Sequence, residues 1–306
     1  MKTVLDITYI TIDDVALKAD LYLPERDDKP PVILFLHGGG WKFGDRKLAP
    51  DLSRFFAREG FAMISVDYRL SDQAPFPAAI EDVKTAIRWV KSVADTYGFD
   101  AERLGLWGSS AGAHLATLAV TAGPARFPGH DYGEFDEQVR AVVDGYGPTD
   151  FLQQDAFRDP DGVPSDDPES IQMPAGKFSA DADSMESLFI GVPIEDAPAQ
   201  VAAANPITYL ESGLPPMLIL HGLSDTAVPW QQSRLLFEAL SRSDNPAILG
   251  LIEGLGHGFF NRNALDDDGP RTWHVSQSDA PERSSVECHE VFAYVGRFFA
   301  NHLRHP

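Results

Sequence analysis

Two glycine-rich segments carry residue types whose spacing suits acyl chemistry. Gly108-Ser109-Ser110-Ala111-Gly112 is a G-x-S-x-G pentapeptide lying between an apolar run, Leu104 to Trp107, and an apolar helical pattern, Ala113 to Thr121. In a strand–turn–helix setting this spacing holds the middle serine on a sharp, strained turn at the edge of a sheet. Glycines two residues to either side keep side chains clear of the neighbouring strand and helix. Ser110 occupies the middle position, and Ser109 reads as a packing residue. His37-Gly38-Gly39-Gly40-Trp41 follows a second apolar run, Val32 to Leu36. Its glycines let backbone N–H groups approach a carbonyl oxygen that becomes negative, so Gly39 and Gly40 are candidates for an oxyanion hole. One such donor typically contributes about 3–4 kcal/mol of transition-state stabilisation. His37 is read as shaping this loop through hydrogen bonds rather than carrying a proton. Trp41 has two readings, a wall of the substrate pocket or packing beneath the loop.

These residues need elements to position them. Short apolar runs end in Gly, His or Asp at Val32 to Leu36, Phe61 to Val66, Leu104 to Trp107, Val139 to Val143, Met217 to Leu220 and Ile248 to Ile252. Runs of this kind suit strands buried on both faces of a parallel sheet. Alternation from Thr3 to Ile12 and from Val15 to Leu23 predicts an antiparallel hairpin ahead of them. Helical spacing is clearest at Ile80, Val83, Ile87, Val90, Ala94 and Tyr97, with Gly98 as a stop. Leu48 to Glu59, Ala111 to Thr121, Trp230 to Ser241 and Val286 to Leu303 are further helix candidates. The alternation implies βαβ units, an α/β fold with a mostly parallel twisted sheet and helices on both faces.

Two segments break the rhythm. Residues 151–205 hold eleven acids against two bases, Arg158 and Lys177, with repeated prolines. The segment leaves the sheet at a strand's C-terminal end, where ligands sit in open α/β folds, so it is expected to form a cap or lid inserted into a single domain spanning 1–306. Arg262 to Glu287, with its Asp266-Asp267-Asp268-Gly269-Pro270 run, is expected to be a surface loop.

A serine hydroxyl is a weak nucleophile and needs a base, which in turn needs an orienting acid. Of the histidines after Ser110, only His257 sits in a glycine-rich turn directly after a strand, in Glu253-Gly254-Leu255-Gly256-His257-Gly258-Phe259. His289, His302 and His305 fall on or beyond the last helix, and His114, one turn into the elbow helix, reads as structural. His274 stays as a minor alternative. For the acid, Asp225 follows the strand Met217 to Leu220 and so shares an edge with Ser110 and His257. Asp144 and Asp150 follow an earlier strand and are weaker candidates, as is Glu253.

Composition narrows the partners. Lys+Arg 25 against Asp+Glu 46 gives a net charge of −21. A field of that sign repels nucleic acid and anionic membrane surfaces. Cys288 is the only cysteine, so an intrachain disulfide and a thiolate metal cluster are both excluded. The N-terminus does not read as a signal peptide and no apolar stretch reaches the length of a membrane span, so a cytoplasmic protein is expected. Nothing in the sequence speaks against a homodimer.

Several motifs in register resemble the α/β-hydrolase esterases, most closely the hormone-sensitive-lipase-like branch that includes bacterial carbohydrate (feruloyl, acetyl) esterases. They are His37-Gly38-Gly39-Gly40-Trp41 with Gly44-Asp45, then Asp67-Tyr68-Arg69-Leu70, Phe76-Pro77-Ala78 and Ala86-Ile87-Arg88-Trp89-Val90. Trp107 through Leu115, His221-Gly222 through Pro229 and Gly256-His257-Gly258-Phe259 complete them. The resemblance implies Ser110 as nucleophile, His257 as base and Asp225 as orienter, with backbone donors from Gly39, Gly40 and Ala111. It implies an α/β-hydrolase fold and a carboxylesterase-type serine hydrolase that forms an acyl-enzyme on short or medium acyl or aryl esters, with neither metal nor organic cofactor. The acidic cap favours neutral or cationic esters. Rival expectations are an amide hydrolase of arylformamidase type with the same triad, and a non-catalytic ligand-binding protein on the same fold.

Overall fold

A computed structural model describes residues 1–26, 28–159 and 178–304. The two alternating segments at the start form β1 (Lys2–Ile12) and β2 (Val15–Leu23), an antiparallel hairpin. The apolar runs become β3 (Pro31–Leu36), β4 (Ala62–Val66), β5 (Asp100–Ser109), β6 (Ala141–Gly145), β7 (Met217–Gly222) and β8 (Ala247–Ile252). Two more strands follow, β9 (Arg271–Gln277) and β10 (Ala280–Cys288). All ten lie in one sheet in the order β1-β2-β4-β3-β5-β6-β7-β8-β9-β10. Pairing is parallel from β4 through β8 and antiparallel at both flanks.

The helices are α1 (Ala78–Ser92), α2 (Ala94–Tyr97), α3 (Ala111–Thr121), α4 (Phe151–Gln154), α5 (Met185–Ile190), α6 (Pro198–Ala204), α7 (Gln231–Arg242) and α8 (Val291–Leu303). Because side chains alternate along a strand, each central strand feeds two cores. Val32, Leu34 and Leu36 of β3 join the layer that contains apolar residues of α1, α3 and α7. Ile33 and Phe35 join the opposite layer, with Trp107, Phe56 and the inner face of α8. Gly105 of β5 is part of this second packing, since a Cβ there would lie 2.6 Å from the ring of Phe299.

Three sequence expectations require correction. Arg262 to Glu287 is not simply a surface loop, because β9 and most of β10 lie within it. Trp273 and Val275 are the inward-facing alternation, buried against the α8 side, and the polar residues between them concealed the period. Leu48 to Glu59 yields only one wide turn over Ser53–Ala57. The last helix begins at Val291 rather than Val286, where the Asp266 carboxylate accepts hydrogen bonds from the N–H groups of Val291 and Phe292. That side chain supplies from a distance the cap that the local sequence lacks.

Of the 151–205 segment, residues 160–177 lie outside the described residues. The remainder folds onto the C-terminal edge of the parallel strands. Ser184 caps α5 by accepting from the Ser187 N–H at 2.9 Å, and Gly191 ends that helix in the left-handed region. Phe189 of α5 stacks on Trp41 at 4.5 Å, and Phe151 of α4 packs edgewise on the same ring.

Candidate active site

Ser110 sits between the end of β5 and the start of α3. Its backbone has φ 52° and ψ −119°, outside the regions an L-residue prefers. Such a conformation costs about 1–3 kcal/mol and persists only where surroundings over-determine it. Here they do. The Ser110 N–H donates to Gly145 O at 2.7 Å, and Ser110 O accepts from the His114 N–H at 3.0 Å. A Cβ at Gly108 would lie 2.3 Å from Gly112, and one at Gly112 would lie 2.1 Å from Leu36 O. The two flanking glycines are therefore steric requirements of the turn.

His257 and Asp225 arrive on the loops after β8 and β7. Those loops are laced together, with the Leu223 N–H donating to Ile252 O and the Ser224 N–H to Leu255 O, each at 2.9 Å. Gly222 permits the approach, since a Cβ there would lie 2.2 Å from Leu255 O. The Ser110 hydroxyl faces His257 Nε2 at 2.8 Å, and His257 Nδ1 donates to Asp225 Oδ2 at 2.7 Å. Tyr146 sets its ring edgewise to the imidazole at 4.9 Å. All three members of the chain are buried.

The Asp225 carboxylate is heavily solvated by the protein. Oδ1 accepts from the N–H groups of Ala227 and Val228, both at 2.9 Å. Oδ2 accepts from His257 and also from His221 Nε2 at 3.1 Å. Burial by itself pushes this carboxyl up, but the His257 and His221 imidazoles outweigh it and hold Asp225 well below the usual carboxylate range. The arrangement presents a hydroxyl, an imidazole and a fixed negative charge in line, which can deprotonate the hydroxyl as it attacks a carbonyl.

The other acids and histidines lie elsewhere. Glu253 bonds His274 at 2.8 Å on the exposed side of the β8–β9 edge. Asp144 accepts from Thr117 Oγ1 and the Gly147 N–H, and Asp150 caps α4. His114 donates from Nε2 to Ala204 O at 2.8 Å, tying α3 to α6, and burial pushes its pKa down to about 4 against the pull of that carbonyl.

The loop after β3 folds back on itself. Gly39 O accepts from the N–H groups of Lys42 and Phe43, and Gly39 and Gly40 have φ of 110° and 58°. A Cβ on Gly39 would lie 2.2 Å from Phe43 O, so glycine is required there. His37 Nδ1 donates to Gly38 O at 2.7 Å, and the Tyr68 hydroxyl donates to His37 O at 2.8 Å with the two rings stacked. Ala111 is the first residue of α3, so its N–H has no acceptor within the helix. Trp41 is 2% exposed and clamped by Phe189, Phe151 and His114. It lies in the packing layer beneath the loop and is not an open pocket wall.

Two features escaped the sequence reading. Met185 of α5 touches the oxyanion loop, since a Cβ on Gly40 would lie 2.9 Å from its Cγ. His221, quoted only as part of a motif, bonds Asp225. Its signal was a strand-terminal histidine four residues before the acid. Among the described residues no group of three or more His, Cys, Asp or Glu could hold a metal ion, and no helix is long and apolar enough to cross a membrane.

The chain is similar to the esterase LipC of Mycobacterium tuberculosis, 32% identical over 256 residues that cover 81% of this chain and 58% of that protein. Two further curated relatives are covered to 49% and 46%, so the chain spans about half the length of the curated relatives it matches. Among solved structures, a bifunctional GH43-CE protein of Bacteroides eggerthii superposes with a TM-score of 0.74 at 27% identity, covering 98% of this chain and 38% of that one. Esterase 2 of Thermogutta terrifontis, in a structure phosphorylated by paraoxon, gives 0.61 at 26% identity, covering 83% and 84%. The fold these proteins share is the α/β-hydrolase fold. The BD-FAE family model matches residues 19–240, nearly three quarters of the sequence, and the chain belongs to that family.

Proposed function

We propose that this protein is a serine carboxylic-ester hydrolase working through an acyl-enzyme. The observation that carries the reading is the unbroken chain from Ser110 Oγ through the His257 imidazole to Asp225, at 2.8 and 2.7 Å. Ser110 attacks the ester carbonyl while His257 Nε2 takes its proton. Asp225 keeps Nδ1 protonated and stabilises the imidazolium. The N–H groups of Gly39, Gly40 and Ala111 receive the developing oxyanion. His257 then hands the proton to the leaving alkoxide, and a water molecule repeats the cycle on the acyl-enzyme.

Residues 151–159 and 178–205, the described parts of segment 151–205, serve as the cap over this centre. Short or medium acyl and aryl esters are the favoured substrates, and the net charge of −21 favours neutral or cationic ones. The esterase names of the relatives support esters over amides, and a neighbour phosphorylated by paraoxon supports a serine nucleophile. The lone Cys288 is consistent with a reducing compartment. The test is mass spectrometry after fluorophosphonate treatment together with parallel assays of p-nitrophenyl esters and aryl formamides. An adduct on Ser110 with ester turnover is expected. Faster turnover of the formamides would move the reading to an amidase, and an absent adduct would end it.

A further inference from the structure

We propose that His221 is a positioning residue that sets the basicity of His257 through the oxygen they share. The inference rests on the triad reading above and adds a fourth member to it. Asp225 Oδ2 takes two imidazole N–H groups, from His257 Nδ1 at 2.7 Å and from His221 Nε2 at 3.1 Å. His221 Nε2 also lies 2.9 Å from Val228 O. Neither oxygen can donate, so Nε2 carries the hydrogen and shares it between them. On the far side of the ring, Nδ1 lies 2.7 Å from the Ser233 hydroxyl of α7, which is able to donate to it. The ring is fully buried and both nitrogens have a hydrogen-bond partner. With Ser233 donating to Nδ1, the bonding pattern is that of an Nε2–H imidazole.

The consequence follows from where the negative charge sits. Every donor on Oδ2 other than His257 withdraws charge from the carboxylate and lowers the proton affinity of His257. A less basic His257 stays deprotonated, and so able to accept the Ser110 proton, to lower pH. Asp144 at the end of β6 faces His221, Tyr146 presents its ring to His257, and Ser110 meets Nε2 of His257. Among the described residues, Asp225 touches both imidazoles. Asp225 itself does not depend on His221 for its place, because Ala227 and Val228 hold Oδ1.

The sign of one measurement separates tuning from mere support. If His221 tunes, His221→Phe raises the acid limb of kcat/KM by about half a pH unit, so that activity below the limb falls about threefold. If His221 only props Asp225 up, its loss separates Asp225 from His257, and the limb moves down or stays. His221→Gln, whose amide N–H can reach Oδ2, should restore the wild-type limb. Ser233→Ala, which touches neither Asp225 nor His257, should move the limb in the same upward direction by less, and it serves if His221→Phe does not fold. In ¹⁵N spectra of the wild-type histidines, His221 should be neutral with hydrogen on Nε2 at neutral pH. A cationic His221, an Nδ1–H tautomer, or an unmoved limb in folded His221→Phe overturns the proposal. Loss of the fluorophosphonate adduct at Ser110 in the wild type would overturn the triad reading as well, whereas an adduct with an unmoved limb overturns this inference alone.

Discussion

The chain Ser110–His257–Asp225 and the cluster around Arg46 are both largely buried polar networks on the same sheet, yet they are built on opposite principles. Arg46 follows the oxyanion loop and ion-pairs with Asp6 of β1, Asp20 of β2 at 2.9 Å and Asp67 after β4 at 3.0 Å. Burial alone would lower its pKa, but these carboxylates raise it, so its charge is permanent and it has no proton to exchange. The triad instead joins a hydroxyl, an imidazole and a carboxylate, and an imidazole can both take and release a proton. The first network holds segments together, and the second can do work on a substrate.

The sharpest way to break this contrast is to remove the Ser110 hydroxyl. Ser110→Ala should lower kcat about a millionfold. Its thermal midpoint should not fall, because the change deletes one hydroxyl and leaves the Gly145 and His114 backbone bonds in place. Asp225→Asn should cost about ten-thousandfold in kcat by favouring the wrong tautomer of His257. Both effects are read in steady-state ester hydrolysis beside a denaturation curve.

Arg46→Met should do the converse. It leaves Asp20, 2% exposed, without its cation, and removing one partner of a buried ion pair typically costs about 3–5 kcal/mol. The urea midpoint should fall accordingly, while turnover per titratable Ser110 stays within about tenfold, since the cluster reaches the site only through the loop's base. A stable Arg46→Met enzyme with collapsed turnover would show that the two networks are not separate.

Sequence disclosed the triad more readily than its supports, for a physical reason. Ser110, Asp225 and His257 each follow a doubly buried strand, so the apolar runs announce where the chain emerges at one edge. That they meet is a matter of strand order, and parallel pairing from β4 to β8 brings them together. The Arg46 cluster left no such trace, because Asp6, Asp20 and Asp67 are ordinary acids with no shared spacing. The β9–β10 hairpin was hidden behind the acidic run at Asp266 to Asp268 and by polar residues on its exposed face. Trp41 left two readings open, a pocket wall or packing beneath the loop, because the aromatic rings that enclose it come from residues 151 and 189.

A subtler test uses His114, which lies between the two kinds of network, as a titratable ring with a purely packing role. It is fully buried and neutral, with a pKa lowered from 6.5 to about 4. Between those values the unfolded chain binds a proton that the folded chain refuses. Stability tied to this group is therefore complete above pH 6.5 and is lost as pH falls towards 4, by about 3 kcal/mol in all. His114→Gln should flatten the fall of the urea midpoint across that window relative to the parent. An identical slope would mean that the His114 ring accepts its proton without cost.

The smallest effect is expected where the sequence offered its nearest competitor. Glu253 stands four residues before His257 and on sequence proximity alone would be the orienting acid. In the fold it turns to the other side of the sheet edge and bonds His274, with the two side chains 53% and 37% exposed. A polar contact so open to water contributes little, typically under about 1 kcal/mol. Glu253→Gln and His274→Ala should therefore each leave kcat/KM within about threefold and barely move the thermal midpoint. The measurement that matters is the pairing of outcomes. If Glu253→Gln abolished turnover while Asp225→Asn left it intact, the working imidazole would have to reach Glu253, and the loop carrying His257 would need a second arrangement that breaks the 2.7 Å bond to Asp225. Silence at Glu253 with loss at Asp225 places the acid on the loop after β7.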